Sequence, residues 1–239
     1  MASGPPRVDI RRADDRGAST TDWLQSRHSF SFADYYDPAN THHGLLLVNN
    51  DDIVAPGAGF DTHPHRDMEI VTWVLSGQLA HADSMGNSGV IYPGLAQRMS
   101  AGTGVEHSEK NGSASEPVHF VQMWVLPDTA GVTPSYQQQE IELADTLTPI
   151  ASGAVDAAVT LHNRNATLYG ARLQPGDSVE VPQARYVHLF VARGAVTLDG
   201  VGPLAEGDAA RLTDTGGRVT ADTDAEILVW EMNAGLGGA

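Results

Sequence analysis

Two histidines separated by a single proline, His63 and His65, are the first residues whose types and spacing suggest chemistry. Pro64 removes a backbone donor and favours extended geometry in the residue before it. In an extended segment, residues i and i+2 project to the same face. The two imidazoles are therefore expected to lie side by side above a stiff backbone, an arrangement that suits a metal ion.

A second pair with the same spacing, His107 and Glu109, follows the flexible run Gly102-Thr103-Gly104. Because glycine lets the backbone bend tightly, this pair can face the first pair from a separate strand. Three imidazoles and one carboxylate suit a divalent first-row metal such as Fe, Mn, Ni, Co, Cu or Zn. Calcium and magnesium would require more oxygen ligands. The spacing therefore predicts four side chains that converge on one ion inside a barrel.

The remaining histidines are interpreted as structural or surface groups. His42 and His43 are adjacent, so their side chains would point to opposite faces of an extended segment, and we assign them to a loop. Glu69 has the same parity as His63 and His65, so it could reach their face if the strand were regular. Single histidines among apolar residues are expected to be hydrogen-bonded structural groups: His28, His81, His119, His162 and His188.

Composition places the chain among ordinary soluble globular proteins. Its 239 residues are 41% hydrophobic and 18% charged and include no cysteine, which excludes disulfides, zinc–thiolate sites and cysteine catalysis. The formal net charge of -16 would repel a phosphate backbone, so we expect no direct nucleic-acid binding. No apolar run has the length of a membrane span or of a signal-peptide core, so we expect a cytoplasmic protein without membrane contact.

Short strands are expected to position these residues, because helical signals are scarce. Apolar runs rich in valine, leucine and aromatic residues recur between clusters of glycine, proline, asparagine and aspartate, as in all-β proteins. A polar, breaker-rich segment at 128–156 is the best candidate for a crossover or linker. The two halves align weakly when Gly77 is set on Gly194 and Gly94 on Gly207. A repeated set of short strands predicts two β-barrels or two jelly rolls.

Two segments resemble known motifs. The run THPHRDMEIVTWVLSG is similar to the first cupin motif, and TGVEHSEKN is similar to the second. More narrowly, THPHRDMEIVTWVLSGQLAHADSMGN and AGTGVEHSE resemble the pirin family, especially its bacterial quercetinase-like members. Flanking segments extend this resemblance over most of residues 20–140. The C-terminal half resembles the second cupin domain of the family only in outline.

The resemblance implies a bicupin of two antiparallel β-barrels, with an N-terminal cupin domain at 1–140 that holds one metal ion per chain. Pirins bind iron or another divalent ion through three histidines and one glutamate. These positions correspond to four residues here: His63, His65, His107 and Glu109. Other cupins often take the carboxylate from the first motif, which would be Glu69. The pirin pattern favours Glu109 and leaves Glu69 beside the ligands or facing the substrate.

The resemblance also implies that the second cupin domain, at 141–239, lacks metal ligands. With the two glycine alignments, the four ligand positions fall on Glu180, Pro182, Thr220 and Asp222. No histidine remains among these residues, so a tight transition-metal site is not expected there. We therefore predict a structural role for the C-terminal barrel.

The function implied by the resemblance is that of a quercetin 2,3-dioxygenase-like oxidoreductase, which opens the ring of a flavonol with Fe(II) or another divalent ion. Glu109 would be the catalytic residue that accepts the proton of the substrate hydroxyl. One alternative is a regulatory protein that responds to the redox state of its metal and acts through protein partners. Another is a different cupin chemistry on a small acid or sugar, since the fold does not determine the reaction. Several aromatic residues could supply the walls of the substrate cavity, although core packing is the expected role for most of them: Phe30, Phe32, Tyr35, Tyr36 and Trp73.

Overall fold

The structure, a computed structural model, describes residues 7–237. Within these residues it contains twenty β-strands, one short 3-10 turn at Ala13–Asp15 and no α-helix. The all-β prediction is therefore confirmed, and the strands form two cupin barrels. No helix in the described part of the chain is long and apolar enough to cross a membrane.

The N-terminal barrel is built from two antiparallel sheets. One sheet has seven strands in the order β12-β9-β6-β11-β4-β3-β2, and the other has four in the order β5-β10-β7-β8. The strands of the first half, with β1 included, are β1 (Arg7–Arg11), β2 (Gly17–Thr20), β3 (Leu24–His28), β4 (Leu46–Val54), β5 (Gly59–His65), β6 (Glu69–Ser76), β7 (Leu79–Asp83), β8 (Ser88–Ile91), β9 (Leu95–Ser100), β10 (Val105–Asn111), β11 (Val118–Val125) and β12 (Ser135–Glu140).

The C-terminal barrel is a single sheet of nine strands in the order β14-β13-β15-β20-β16-β19-β17-β18, with β1 paired to β19. The first described strand of the chain therefore belongs to the second barrel. The remaining strands are β13 (Thr148–Ser152), β14 (Val159–Thr160), β15 (Ala166–Leu173), β16 (Ser178–Arg193), β17 (Ala195–Leu198), β18 (Gly202–Ala205), β19 (Ala209–Ala221) and β20 (Ala225–Met232).

The internal repeat seen in the sequence is present in the fold. Gly77 joins β6 to β7 with φ 79°, and Gly194 joins β16 to β17 with φ 74°. Gly94 and Gly207 precede β9 and β19 with φ 90° and 82°. At Gly77 an added Cβ would lie 2.5 Å from the carbonyl oxygen of Pro117. Positive φ and this close approach explain why glycine occupies the equivalent turns.

The segment predicted as a linker is only partly irregular. It contains β12, which pairs with β9 in the N-terminal barrel, and β13, which pairs with β15 in the C-terminal barrel. Backbone pairing with an existing sheet edge stabilises strands whose own composition is polar, which is why the prediction of a linker was too broad. The gap between β12 and β13 contains the division expected between residues 140 and 141, and that division stays a prediction.

The two barrels share an apolar core. Trp73 and Phe30 from the first half and Phe190 and Trp230 from the second are fully buried in one cluster. The indole Nε1–H of Trp73 also donates to Glu226 Oε1 at 2.7 Å, across the boundary between the halves. Removing a buried tryptophan side chain costs about 3–5 kcal/mol, so Trp73 contributes to the stability of the core that the two barrels share.

Candidate metal centre

Three adjacent strands bring the predicted ligands to one place. Strand β10 lies between β5 and β7. His107 on β10 is opposite His63 on β5, and Glu109 is opposite His81 on β7. A register irregularity lies between His107 and Glu109 along the β5 edge. Such bulges redirect side chains locally, and they are frequent beside functional sites.

The three histidines predicted to act together are brought together. The ring centroids are 4.8 Å apart for His63 and His65, 4.5 Å for His63 and His107, and 4.9 Å for His65 and His107. One ring nitrogen from each lies within 4.8 Å of the others. Two separate i, i+2 segments therefore do meet, as the spacing predicted.

The hydrogen bonding of these rings fits a divalent metal ion. His63 Nδ1–H donates to the carbonyl oxygen of Asp61 at 2.7 Å, which leaves the Nε2 lone pair available. His65 Nε2 and both ring nitrogens of His107 are buried without a partner among residues 7–237. A buried polar atom without a partner costs about 1–3 kcal/mol. Coordination of a cation would satisfy several such atoms at once.

The protonation states also fit. Burial lowers the pKa of His65 to about 4, with the charge of His63 adding to the effect. Burial lowers the pKa of His107 to about 2, and the neighbouring histidines lower it further. Both rings are therefore neutral near pH 7. Metal binding requires neutral imidazole, so no proton has to be displaced from either ring at that pH.

Glu109 lies in the same cluster and is held by an amide. Both of its carboxylate oxygens accept from Gln122 Nε2, at 2.9 and 2.7 Å. Trp124 Nε1–H in turn donates to Gln122 Oε1 at 3.1 Å. Burial raises the pKa of Glu109 to about 7, and the bond from Gln122 opposes that rise. A cation beside this carboxylate would lower its pKa again and favour the ionised form.

His81 is a neighbour of this cluster that sequence reasoning assigned to structure alone. Ligand atoms of His81, His107 and Glu109 lie within 4.8 Å of one another, so two groups of three share His107. His81 Nε2–H donates to Asp83 Oδ2 at 3.2 Å, and its ring stacks on Tyr136 with centroids 4.9 Å apart. The signal that could have found it is the spacing of His81 and Asp83, another i, i+2 pair.

The parity argument for Glu69 fails. Its carboxylate accepts from Ser100 Oγ at 2.5 Å and from the backbone N–H of His162 at 3.1 Å. It does not line the cavity of the metal cluster. Asp67, with φ 49°, interrupts the chain between β5 and β6. Residue parity is lost across that bend, so Glu69 faces the second barrel rather than the histidines.

A cavity of about 250 Å³ opens onto the cluster and is lined by His63, His65 and Glu109 among others. Most of its lining surface is apolar. Of the five aromatic residues predicted as walls, Phe32 alone is among its lining residues, together with Phe60 and Trp124 from elsewhere in the chain. The other four do not line it. Phe30 and Trp73 pack in the shared core, the role expected for most of the five, whereas Tyr35 does not reach the cavity and Tyr36 is 74% exposed.

Comparison with known proteins identifies the family. Residues 10–125 match the Pirin family model, and residues 150–232 match the model of the quercetinase C-terminal cupin domain. Quercetin 2,3-dioxygenase of Escherichia coli K12 is 39% identical over 227 residues, which cover 94% of this chain and 98% of that protein. This chain belongs to the pirin family. The recognition made from its motifs is therefore confirmed.

Other pirin relatives agree. A protein of Mycobacterium tuberculosis H37Rv, provisionally named a quercetin 2,3-dioxygenase, is 66% identical over 236 residues, covering 96% of this chain and 97% of its own. The crystal structure of the bacterial pirin YhhW from Escherichia coli in complex with nickel(II) has a TM-score of 0.89 at 37% identity, covering 95% of this chain and all of that chain. A nickel-bound relative and a histidine–glutamate cluster support a metal site of the pirin type. The identity of the metal and the four-ligand assignment stay predictions.

Proposed function

We propose that this pirin is a metal-dependent dioxygenase that carries out oxidative ring opening of a flavonol such as quercetin. The observation that carries the proposal is the group of buried, unpartnered imidazole nitrogens at the edge of a mostly apolar cavity. Such a cavity encloses a planar aromatic ligand and excludes water around it. The flavonol class is taken from the names of its relatives.

His63, His65 and His107 would hold the ion through ring nitrogens, and Glu109 would add a carboxylate oxygen. When bound, a divalent ion such as Fe(II) supplies Lewis-acid and one-electron redox chemistry toward dioxygen. Gln122 has a positioning role, because its two hydrogen bonds set the plane of the Glu109 carboxylate.

Glu109 is the proposed proton acceptor. A flavonol hydroxyl that enters the cavity would transfer its proton to a carboxylate oxygen of Glu109. A bound cation would favour the ionised form of Glu109, which is the form that can accept this proton. The apolar side chains of Phe60 and Trp124 line the same cavity and limit the access of competing water.

Oxygen uptake tests the proposal. Purified protein is stripped with a chelator, reloaded separately with Fe(II), Ni(II), Mn(II), Co(II), Cu(II) or Zn(II), and mixed with quercetin while dioxygen and flavonol absorbance are recorded. We expect flavonol-dependent uptake with at least one ion and none in the metal-free protein. Absence of uptake with all of these ions would overturn the enzyme assignment. The regulatory alternative would then be tested by capture of protein partners with wild type and with His63→Ala.

A further inference from the structure

A second polar group lies in the same cavity, on β3 and β4 of the seven-stranded sheet. Ser26, His28, Asn50 and Asp52 all line the cavity, and none of them was singled out as a functional residue from the sequence. Asp52 is only 4% exposed. Ser26 Oγ–H donates to Asp52 Oδ1. No side chain or backbone group within residues 7–237 donates to Asp52 Oδ2.

The neighbouring asparagine is held in one orientation. His28 Nδ1–H donates to Asn50 Oδ1 at 3.0 Å, and Ser19 Oγ–H donates to His28 Nε2 at 2.9 Å. The Asn50 carbonyl is therefore occupied. Its Nδ2 amide group donates to no residue in the described range. Asn50 is also buried, so its free N–H groups and the free oxygen of Asp52 can be satisfied only from the cavity.

The free oxygen of Asp52 and the free amide of Asn50 together match a neutral hydroxyl group. Burial raises the pKa of Asp52 to about 7, with the carboxylates of Asp51 and Glu109 adding to the rise and Ser26 and Arg16 opposing it. A hydroxyl group can donate to the carboxyl oxygen and accept from an amide N–H at the same time. An adjacent pair of hydroxyls can engage both residues separately.

The cavity therefore has two polar regions with apolar side chains beside them. His63, His65 and Glu109 form one region, and the group on β3 and β4 forms the other. Leu24, Phe32, Phe60 and Trp124 provide the apolar lining. A ligand that satisfies both regions has a flat apolar body with oxygen substituents at two separate places.

We propose that Asp52 and Asn50 form a hydroxyl-recognition subsite that selects planar aromatic ligands with hydroxyl groups remote from the part bound at the histidine cluster. The subsite rests on the proposed function, since it defines which members of the flavonol class bind. Asp52 determines specificity here and takes no part in the oxidation. A site with buried hydrogen-bonding groups discriminates strongly against an analogue that lacks the matching hydroxyl, because these groups are then left unpaired.

Direct binding to full-length protein loaded with Zn(II), measured without dioxygen, tests the subsite without turnover. Isothermal titration would compare quercetin with 3-hydroxyflavone, which keeps the 3-hydroxy-4-keto group and lacks every other hydroxyl. We expect wild type to bind quercetin at least about tenfold more tightly than 3-hydroxyflavone. In the Asp52→Asn variant, the side-chain oxygen of the asparagine keeps the position that accepts from Ser26. The amide nitrogen then replaces the free oxygen that faces the cavity. The variant should bind quercetin no more than about twofold more tightly than 3-hydroxyflavone, while its affinity for 3-hydroxyflavone stays close to that of wild type.

The matched control is Asp22→Asn, the same chemical change at an exposed residue of the turn before β3. It should keep the preference of wild type. Equal binding of the two ligands by wild type, or an undiminished preference in Asp52→Asn, would overturn the subsite and leave the flavonol function standing. Binding of neither ligand by wild type would overturn the subsite and the flavonol assignment together.

Discussion

Replacing Asp52 with asparagine is expected to stabilise the metal-free protein at pH 8. The carboxyl group is buried and has Ser26 as its one hydrogen-bond donor among the described residues. Burial raises its pKa from 3.8 to about 7. Between these values the folded protein keeps a proton that the unfolded chain has lost, so stability falls as pH rises through this window. At about 1.4 kcal/mol per tenfold change in proton affinity, the loss amounts to about 4 kcal/mol.

The asparagine side chain has nearly the same shape and cannot ionise, so the variant should avoid this loss. Urea unfolding followed by tryptophan fluorescence would be measured at pH 4 and pH 8 in the presence of a chelator. We expect the free energies of unfolding to agree within about 1 kcal/mol at pH 4 and to favour the variant by up to about 4 kcal/mol at pH 8.

The adjacent residue provides a control of opposite sign. Asp51 accepts from His119 Nε2 and pairs with Arg16 at 3.4 Å. Burial raises its pKa, but these two partners outweigh burial and hold the pKa below its ordinary value. Its contribution is present above about pH 4 and lost as pH falls. Asp51→Asn should therefore destabilise the protein at pH 8 by about 3–5 kcal/mol, because the buried Arg16 loses its partner. A less stable Asp52→Asn at pH 8, with the same deficit at pH 4, would refute the reasoning.

Four further changes test other parts of the structure. His63→Ala should lower bound metal, measured by elemental analysis, to well below one ion per chain while the far-UV circular dichroism stays unchanged; full retention of metal would contradict the ligand assignment. Glu109→Gln should reduce flavonol-dependent oxygen uptake by about 10²- to 10⁴-fold in folded protein, and turnover equal to wild type would exclude it as the base. Gly77→Ala should lower the free energy of unfolding by about 1–3 kcal/mol, because Gly77 has φ 79° and an added Cβ would lie 2.5 Å from a backbone oxygen. An unchanged denaturation midpoint would show that the turn relaxes freely. Trp73→Phe should cost about 1–3 kcal/mol in the same assay, because Glu226 loses a buried donor, and no loss would mean that this bond does not hold the barrels together.

Local features of the chain determined the class of fold and the centre of the site. The i, i+2 spacing of His63 and His65 places both rings on one face of any extended strand, whatever the rest of the protein does. The positive φ at Gly77 and Gly194 is a local requirement of tight turns, so the repeat could be read from the sequence. Together with the alternation of apolar runs and turn residues, these features predicted two β-barrels or jelly rolls in which three histidines can converge, and the resemblance to the pirin family selected the barrels.

The tertiary structure alone decided which residues surround that centre. His81 reaches Glu109 because β7 pairs with β10, and Asp52 shares a cavity with Glu109 because two sheets meet. Such contacts join residues distant in sequence and leave no local pattern in a single chain. Glu69 is the opposite case. In a regular strand its side chain would lie on the same face as His63 and His65, but the left-handed conformation of Asp67 bends the chain before it. The carboxylate contacts Ser100 instead. Periodicity predicts where a side chain points only as far as the strand stays regular, and pairing between strands then decides what it meets.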